Sequence, residues 1–230
     1  MKSHLLSPHL AYDLWSHTYP PVAHNPLMRV EQEVVERLIA QQRATRALDV
    51  GTGSGRYLPL LAATGARIVV GLDFCRAMLA RCAGADGGCL VLADAYQMPF
   101  RRAAFDLINA SLLAGDVGEL ERWTRELART LTYGGHLIYS DFHPSWAHHD
   151  WRRTFHDADG RTHEVPYQPH TIDDHLAAIA RAGLDVVAIR EPRFKDDSEP
   201  AVKAFRRQWG NPPVVAVFHA MKPHGPHSTP

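Results

Sequence analysis

Cysteine is scarce in this 230-residue chain: Cys75, Cys82 and Cys89 are the whole supply, seven residues apart. The odd number and the lack of any CxxC pair speak against a disulfide framework or a zinc site. Cys75 and Cys82 fall two helical turns apart and Cys89 opens a strand pattern, so the three read as small buried or half-buried residues. No apolar run approaches the ~20 residues of a membrane span, and the opening MKSHLLSPHLAYDLW has no continuous hydrophobic segment of a secretion signal. A cytoplasmic protein with no membrane partner is expected. Net charge is missing too, since 25 basic and 25 acidic residues cancel. No global field then draws in nucleic acid, and none is expected as a partner.

What is present is alternation. Residues 34–39 place Val34, Val35, Leu38 and Ile39 on one face of a helix that begins near Met28. Strand patterns follow at 47–50, 67–72, 89–93, 105–111 and 136–141, with helical patterns at 56–64, 75–83 and 118–131. Such order predicts an α/β fold, Rossmann-like and doubly wound, its sheet mostly parallel with helices on both faces. LDVVAIRE and PPVVAVFHAMK add two strands near the end, joined by too little chain for a long crossover, and are expected to form an antiparallel edge. Residues 1–27 are rich in aromatics, His and Pro, with a short helix near Ala11 to His17, and form an N-terminal helical lid segment. The main domain is expected over 28–222, with an aperiodic insertion at 142–171 before a helix at 172–182. A loose polar tail covers 223–230. Long connections in compact domains are usually functional.

RALDVGTGSGRYL carries a strand into the glycine turn Gly51, Gly53, Gly55. Glycine allows a ligand to lie against backbone. The spacing is not G-x-G-x-x-G, and no Gly-Lys-Ser/Thr follows, so neither the dinucleotide nor the P-loop pattern fits. Asp49 decides the matter, because a carboxylate there would repel a pyrophosphate and attract a cation. S-adenosylmethionine, a nucleoside bearing a sulfonium and an amino group, is the ligand that suits. Ligands of doubly wound sheets sit beyond the carboxyl ends of the strands. Asp73 ends the second strand, placed to accept both ribose hydroxyls. Asp94 ends the third, and with the Ala95 backbone faces the amino edge of adenine, with Leu72, Phe74 or Met98 against the base. Asn109 and Ser111 follow the fourth strand, at the methionine end.

These four segments resemble the successive motifs of the class I S-adenosylmethionine-dependent methyltransferases, over roughly residues 28–141. The resemblance implies that Asp49, Gly51, Gly53 and Gly55 form the acidic glycine motif, Asp73 the ribose carboxylate and Asp94 the adenine contact. AYDLWSHTYPPVAHN is similar to the opening of small-molecule members, including malonyl-acyl-carrier-protein O-methyltransferases and quinone C-methyltransferases, where it forms a lid over the cofactor. Many relatives carry a histidine pair after the fourth strand, where this chain has Gly115 and Asp116, so that pair's role does not transfer.

The activated sulfonium leaves the protein mainly to exclude water and align a nucleophile. Tyr12, Trp15, Tyr19 and His24 are expected to enclose the substrate, the aromatics drawn to the sulfonium. A carboxylate acceptor needs a cationic clamp, for which Arg152 and Arg153 qualify. A hydroxyl or nitrogen acceptor needs a base, for which His143 is placed just past a strand end. Seven histidines lie between His143 and His175, yet they lack an H-x-x-x-H pair, and no metal is expected. The expectation is a methyltransferase acting on a small-molecule or carrier-bound acceptor, at oxygen before nitrogen or carbon, as monomer or homodimer. The alternative is a cofactor-binding accessory protein without turnover; RNA or protein methylation suits the balanced charge less.

Overall fold

The computed structural model describes residues 4–82, 89–148, 152–195 and 199–225. In chain order the elements begin with β1 (His4–Leu5), α1 (Pro8–Ser16) and α2 (Pro26–Ala40). There follow β2 (Arg46–Val50), α3 (Leu58–Ala62), β3 (Ile68–Asp73), α4 (Arg76–Leu79), β4 (Cys89–Leu92), β5 (Phe105–Ala110), α5 (Leu120–Thr130) and β6 (Leu131–Phe142). The remainder is β7 (Thr154–His156), β8 (Thr162–Glu164), α6 (Ile172–Arg181), β9 (Asp185–Arg190), α7 (Pro200–Trp209) and β10 (Val215–Met221).

The main sheet has the order β4-β3-β2-β5-β6-β10-β9. Its pairings from β4 to β6 are parallel, and β10 runs antiparallel to both β6 and β9. The antiparallel strand is therefore the sixth of seven, covered on its outer side by β9. Strand alternation sends Ala47, Leu107, Ile138 and Val217 toward Val35, Leu38, Ile39 and Leu61 of α2 and α3. Leu48, Ile108, Leu137 and Phe218 go to the other face, against Trp123, Leu127 and Ile179. The doubly wound architecture follows directly from this period-two pattern.

Two departures from the sequence pattern matter. The link between β9 and β10 carries α7, with Pro200 at its first turn, Val202 and Phe205 buried, and Gly210 ending it at φ 76°. Phe205 and Trp209 pack on Trp146, so the helix walls the functional region. The insertion, in turn, is joined to the N-terminal segment: β1 pairs parallel with β8, and β8 antiparallel with β7. Trp15 of α1 stacks on Phe155 at 4.9 Å, and Ala11, Phe155 and Val165 make a small core of their own. Lid and insertion are thus one cap rather than two appendages. Of the expected tail, residues 226–230 lie outside the described residues, as do 83–88.

Glu31 ties the sheet to the helices around the site. Its fully buried carboxylate accepts from Tyr57 Oη at 2.6 Å, Ser140 Oγ at 2.8 Å and Arg56 Nη2 at 3.1 Å. Ser140 Oγ also accepts from the Leu112 amide at 2.8 Å, so α2, β6 and the segments after the glycine turn and β5 share one network. Removing one partner of a buried ion pair strands the other charge. Glu31→Ala should therefore lower the unfolding free energy by about 3 kcal/mol in denaturant titration; a loss below about 1 kcal/mol would show that water rescues Arg56.

Candidate active site

The turn after β2 is left-handed at Gly51, Gly53 and Gly55, with φ of 68°, 55° and 85°. A side chain at Gly51 would press on Leu113, and one at Gly55 on Cys82 Sγ, whereas space above Gly53 is open. Cys82 also donates to Gly53 O at 3.1 Å. This thiol props the turn from behind while the space above Gly53 stays open.

Asp49 sits beneath the turn, 2% exposed. Asn109 Nδ2 donates to its Oδ1 and Thr52 Oγ1 to its Oδ2, both at 2.7 Å. Burial nevertheless pushes its carboxyl up to about 6. Asp73, at the end of β3, accepts from the Gly53 amide and the Cys75 amide, each at 2.8 Å. Burial raises it as well. Each of its oxygens has a further lone pair to offer, and the side chain lines a cavity of about 260 Å³.

That cavity's walls are Gly51, Leu72, Phe74, Ala93, Ala95, Leu113 and Val117, with Tyr96 at one side. Its charged lining residues are Asp73, Asp94 and Asp116, with no Lys or Arg among them. An all-acidic lining repels phosphates and accepts a neutral or cationic nucleoside. The residues present therefore fit S-adenosylmethionine: Asp73 for ribose hydroxyls, apolar walls for the base, and buried Asp49 as a fixed negative charge under the turn. Asp94 is exposed, its Oδ1 taking the Tyr96 amide at 2.8 Å. Asn109 points to Asp49, and Ser111 Oγ donates to Asn109 Oδ1 at 3.3 Å, so this pair supports the turn from below. Met98, expected against the base, is buried in the main core instead, and Tyr96 occupies the cavity wall.

A second cavity, of about 360 Å³, lies under the cap. Tyr12, Trp15, Tyr19, His24, Arg152 and Arg153 all line it, joined by Phe142, Trp146 and, from α7, Phe205. The two cavities meet at one cluster. Tyr12 Oη donates to Asp116 Oδ2 at 2.7 Å, Arg153 Nη1 donates to the same oxygen at 3.1 Å, and Arg153 Nη2 pairs with Asp116 Oδ1. Arg153 also donates to Pro166 O at 3.0 Å and is 7% exposed. Burial opposes its charge, but Asp116 outweighs that and raises its pKa.

Two expected roles change. Arg153 is no free anion clamp, because Asp116 already occupies its guanidinium; Arg152 reaches Glu164 at 3.3 Å from a largely solvated position. His143 is not a base in the site: its Nδ1 pairs with Ser145 Oγ at 2.9 Å, its Nε2 with Glu191 at 2.8 Å, and it does not line the cavity. Asp116 was missed by sequence reasoning, which saw only a departure from a histidine pattern. Its signal exists after the fact: an acidic residue just past a strand end, where three others already stood.

The motifs, the sheet order and the acidic cavity together make the chain similar to the class I S-adenosylmethionine-dependent methyltransferases, whose fold it shares. The family model described as "Methyltransferase domain" matches residues 48–139. A demethylmenaquinone methyltransferase of Clavibacter sepedonicus is 35% identical over 136 residues, 57% of this chain and 54% of that one. A malonyl-[acyl-carrier protein] O-methyltransferase of Methylococcus capsulatus is 33% identical over 131 residues, 53% and 48% of the two chains. The chain thus spans about half the length of these curated relatives. In fold it is similar to an S-adenosylmethionine dependent methyltransferase from Mesorhizobium loti, at TM-score 0.66 and 23% identity over 85% of this chain and 99% of that one. Among the described residues no helix is long and apolar enough to cross a membrane.

Asp49 gives a pH test of the cofactor site. Above its pKa of about 6 the carboxylate is charged and attracts a cationic ligand; below it the proton removes that attraction. S-adenosylmethionine affinity should fall by up to about tenfold per pH unit below that value, approached as pH drops toward 5. Calorimetry on wild type and Asp49→Asn should show the slope in the first and a weak, flatter profile in the second. An unchanging wild-type affinity would mean that Asp49 does not act on the ligand's charge.

Proposed function

We propose that this chain transfers the methyl group of S-adenosylmethionine to an uncharged small-molecule acceptor, at an oxygen, within the aromatic cavity. The observation that carries the reading is the electrical neutrality of that cavity's wall. Arg153 is paired with Asp116 and Arg152 with Glu164, while burial lowers the pKa of His24 and keeps it neutral near pH 7. An acceptor carboxylate would have to displace one of these partners. A neutral ring finds Trp15, Tyr19, Phe142, Trp146 and Phe205 to lie against. Oxygen is favoured because Tyr12 gives its proton to Asp116 and leaves its own lone pairs for an incoming O–H.

Bound cofactor supplies an activated methyl group. The chain's part is to seal the reaction from water, which the cap does by stacking α1 on the insertion, and to hold the acceptor against the junction of the two cavities. Tyr12 packs edge-on to Phe74 at 5.9 Å, so the same helix covers the nucleoside wall and the acceptor cavity.

Binding of 2-naphthol and 2-naphthoate to the complex with S-adenosylhomocysteine distinguishes the neutral from the carboxylate reading. The naphthol should bind at least about tenfold tighter, the equivalent of roughly 1.4 kcal/mol. Val202→Trp, filling a cavity-lining position, should abolish naphthol binding and spare S-adenosylhomocysteine. Tighter binding of the naphthoate would restore the clamp. Release of S-adenosylhomocysteine from S-adenosylmethionine with the naphthol should mark turnover, and its absence with every acceptor tried would favour the accessory protein.

A further inference from the structure

The cluster at the meeting of the two cavities holds more than a structural ion pair. Tyr12 lines the acceptor cavity and Asp116 lines the nucleoside cavity, and their side chains join at 2.7 Å. The Asp116 side chain is 7% exposed, so water reaches it poorly. Gly115 beside it has no room for a Cβ, which would strike the Tyr167 ring and Asp141 Oδ1, so the backbone that carries Asp116 is tightly fixed. The groups facing Tyr12 are Asp116, Arg153 and Tyr19, with Trp15 stacked and Phe74 edge-on. The Tyr12 hydroxyl thus spends its proton on one cavity's carboxylate while its side chain lines the other.

We propose that Tyr12 and Asp116 form a proton relay that takes the acceptor's proton during methyl transfer. The proposal rests on the oxygen-acceptor reading above. The acceptor oxygen forms its bond to the methyl carbon as the carbon–sulfur bond breaks and its electron pair stays on sulfur. The acceptor's proton passes to Tyr12 Oη, and the proton that Tyr12 already shares passes to Asp116 Oδ2. Positive charge is conserved locally: the sulfonium charge disappears while a proton arrives on the carboxylate. Arg153 keeps its bonds to Asp116 and Pro166 throughout and so fixes the geometry without acting on the acceptor. A hydroxyl oxygen acquiring a third covalent partner becomes a protonated ether, far more acidic than a carboxylic acid, so a carboxylate held by arginine is still a sufficient sink. Asp116 then returns its proton to water when product leaves and the cap opens.

This relay predicts a proton-specific defect rather than a general one. Two acceptors of one shape separate these, since 2-naphthol carries its proton at neutral pH and 2-naphthalenethiol is largely the thiolate. Tyr12→Phe keeps the ring and should lower the naphthol-to-thiol ratio of kcat by about 10²-fold. Asp116→Asn should lower the same ratio, and melting curves of both variants establish that they are folded. A readout without turnover comes from the emission of 2-naphthol bound to the S-adenosylhomocysteine complex. Its excited state sheds the proton to an acceptor in hydrogen-bond reach, so wild type should show naphtholate emission and Tyr12→Phe the neutral band. Equal losses with both nucleophiles, or naphtholate emission undiminished in Tyr12→Phe, would overturn the relay. So would a loss of the ratio in His24→Gln with none in Tyr12→Phe, which would transfer the proton to that neighbouring imidazole. A wild type inert toward every hydroxyl acceptor while methylating an amine or carbon would fell the oxygen reading itself, and the relay with it.

Discussion

A carboxylate removed from water must be given donors, and this molecule removes several at one end of its sheet. Asp49 is satisfied by Thr52 and Asn109, Asp73 by the Gly53 and Cys75 amides, and Asp116 by Tyr12 and Arg153. Each solution dictates local structure. Asp73 pins the glycine turn to the start of α4, so the backbone lies open at Gly53. Asp49 fixes the foot of the same turn through a residue on the turn and another on β5. The donors of Asp116 come from 104 residues before it and 37 residues after it, which is what brings the cap down over the sheet. The acidity needed for a cationic nucleoside is thereby also the adhesive of the site.

The cap follows from the same accounting at larger scale. Neither α1 nor the β7–β8 hairpin has enough apolar surface to fold by itself. Together they bury Ala11, Phe155 and Val165 and stack Trp15 on Phe155. A separate cluster, Phe142, Trp146, Phe194, Val202, Phe205 and Val214, holds α7 to the end of β6. The cavity under the cap is the gap between these two aromatic assemblies, so its walls come from elements that the sheet only indirectly positions. Such weakly anchored units are the ones that open first.

The parallel sheet and the candidate nucleoside cavity were legible because their signals are local. Strand ends, a glycine turn and acidic residues at set offsets are read from neighbouring positions, and the fold sets Asp49, Asp73, Asp94 and Phe74 at one end of the sheet. The acceptor side depends on contacts between segments far apart in sequence. Arg153 looked like a free cation because its partner, Asp116, lies 37 residues away in sequence, and His143 looked like a base because a strand-end position does not reveal Ser145 and Glu191 on its two nitrogens. Glu31 falls within the helical pattern that begins near Met28, where nothing distinguishes it from an ordinary solvated acid. Its burial depends on Arg56, Tyr57 and Ser140, none of which the helix pattern shows. Likewise α7 was missed because the length of a connection says little when its apolar positions serve a partner, Trp146, outside their own helix.

The two cavities divide the electrostatic work. The nucleoside side carries carboxylates without a lining cation, and the acceptor side carries cations that are already matched. A positive ligand therefore gains on the first side, and a charged acceptor gains on neither. Were Arg153 released from Asp116, both would change at once, because the acceptor cavity would acquire an anion site and the nucleoside cavity an additional unpaired negative charge. The pairing consequently sets the polarity of both cavities, and on the reading proposed above a residue outside the recognised cofactor motifs sets which acceptors can enter. Fold resemblance alone does not carry that information; the partners of Asp116 do.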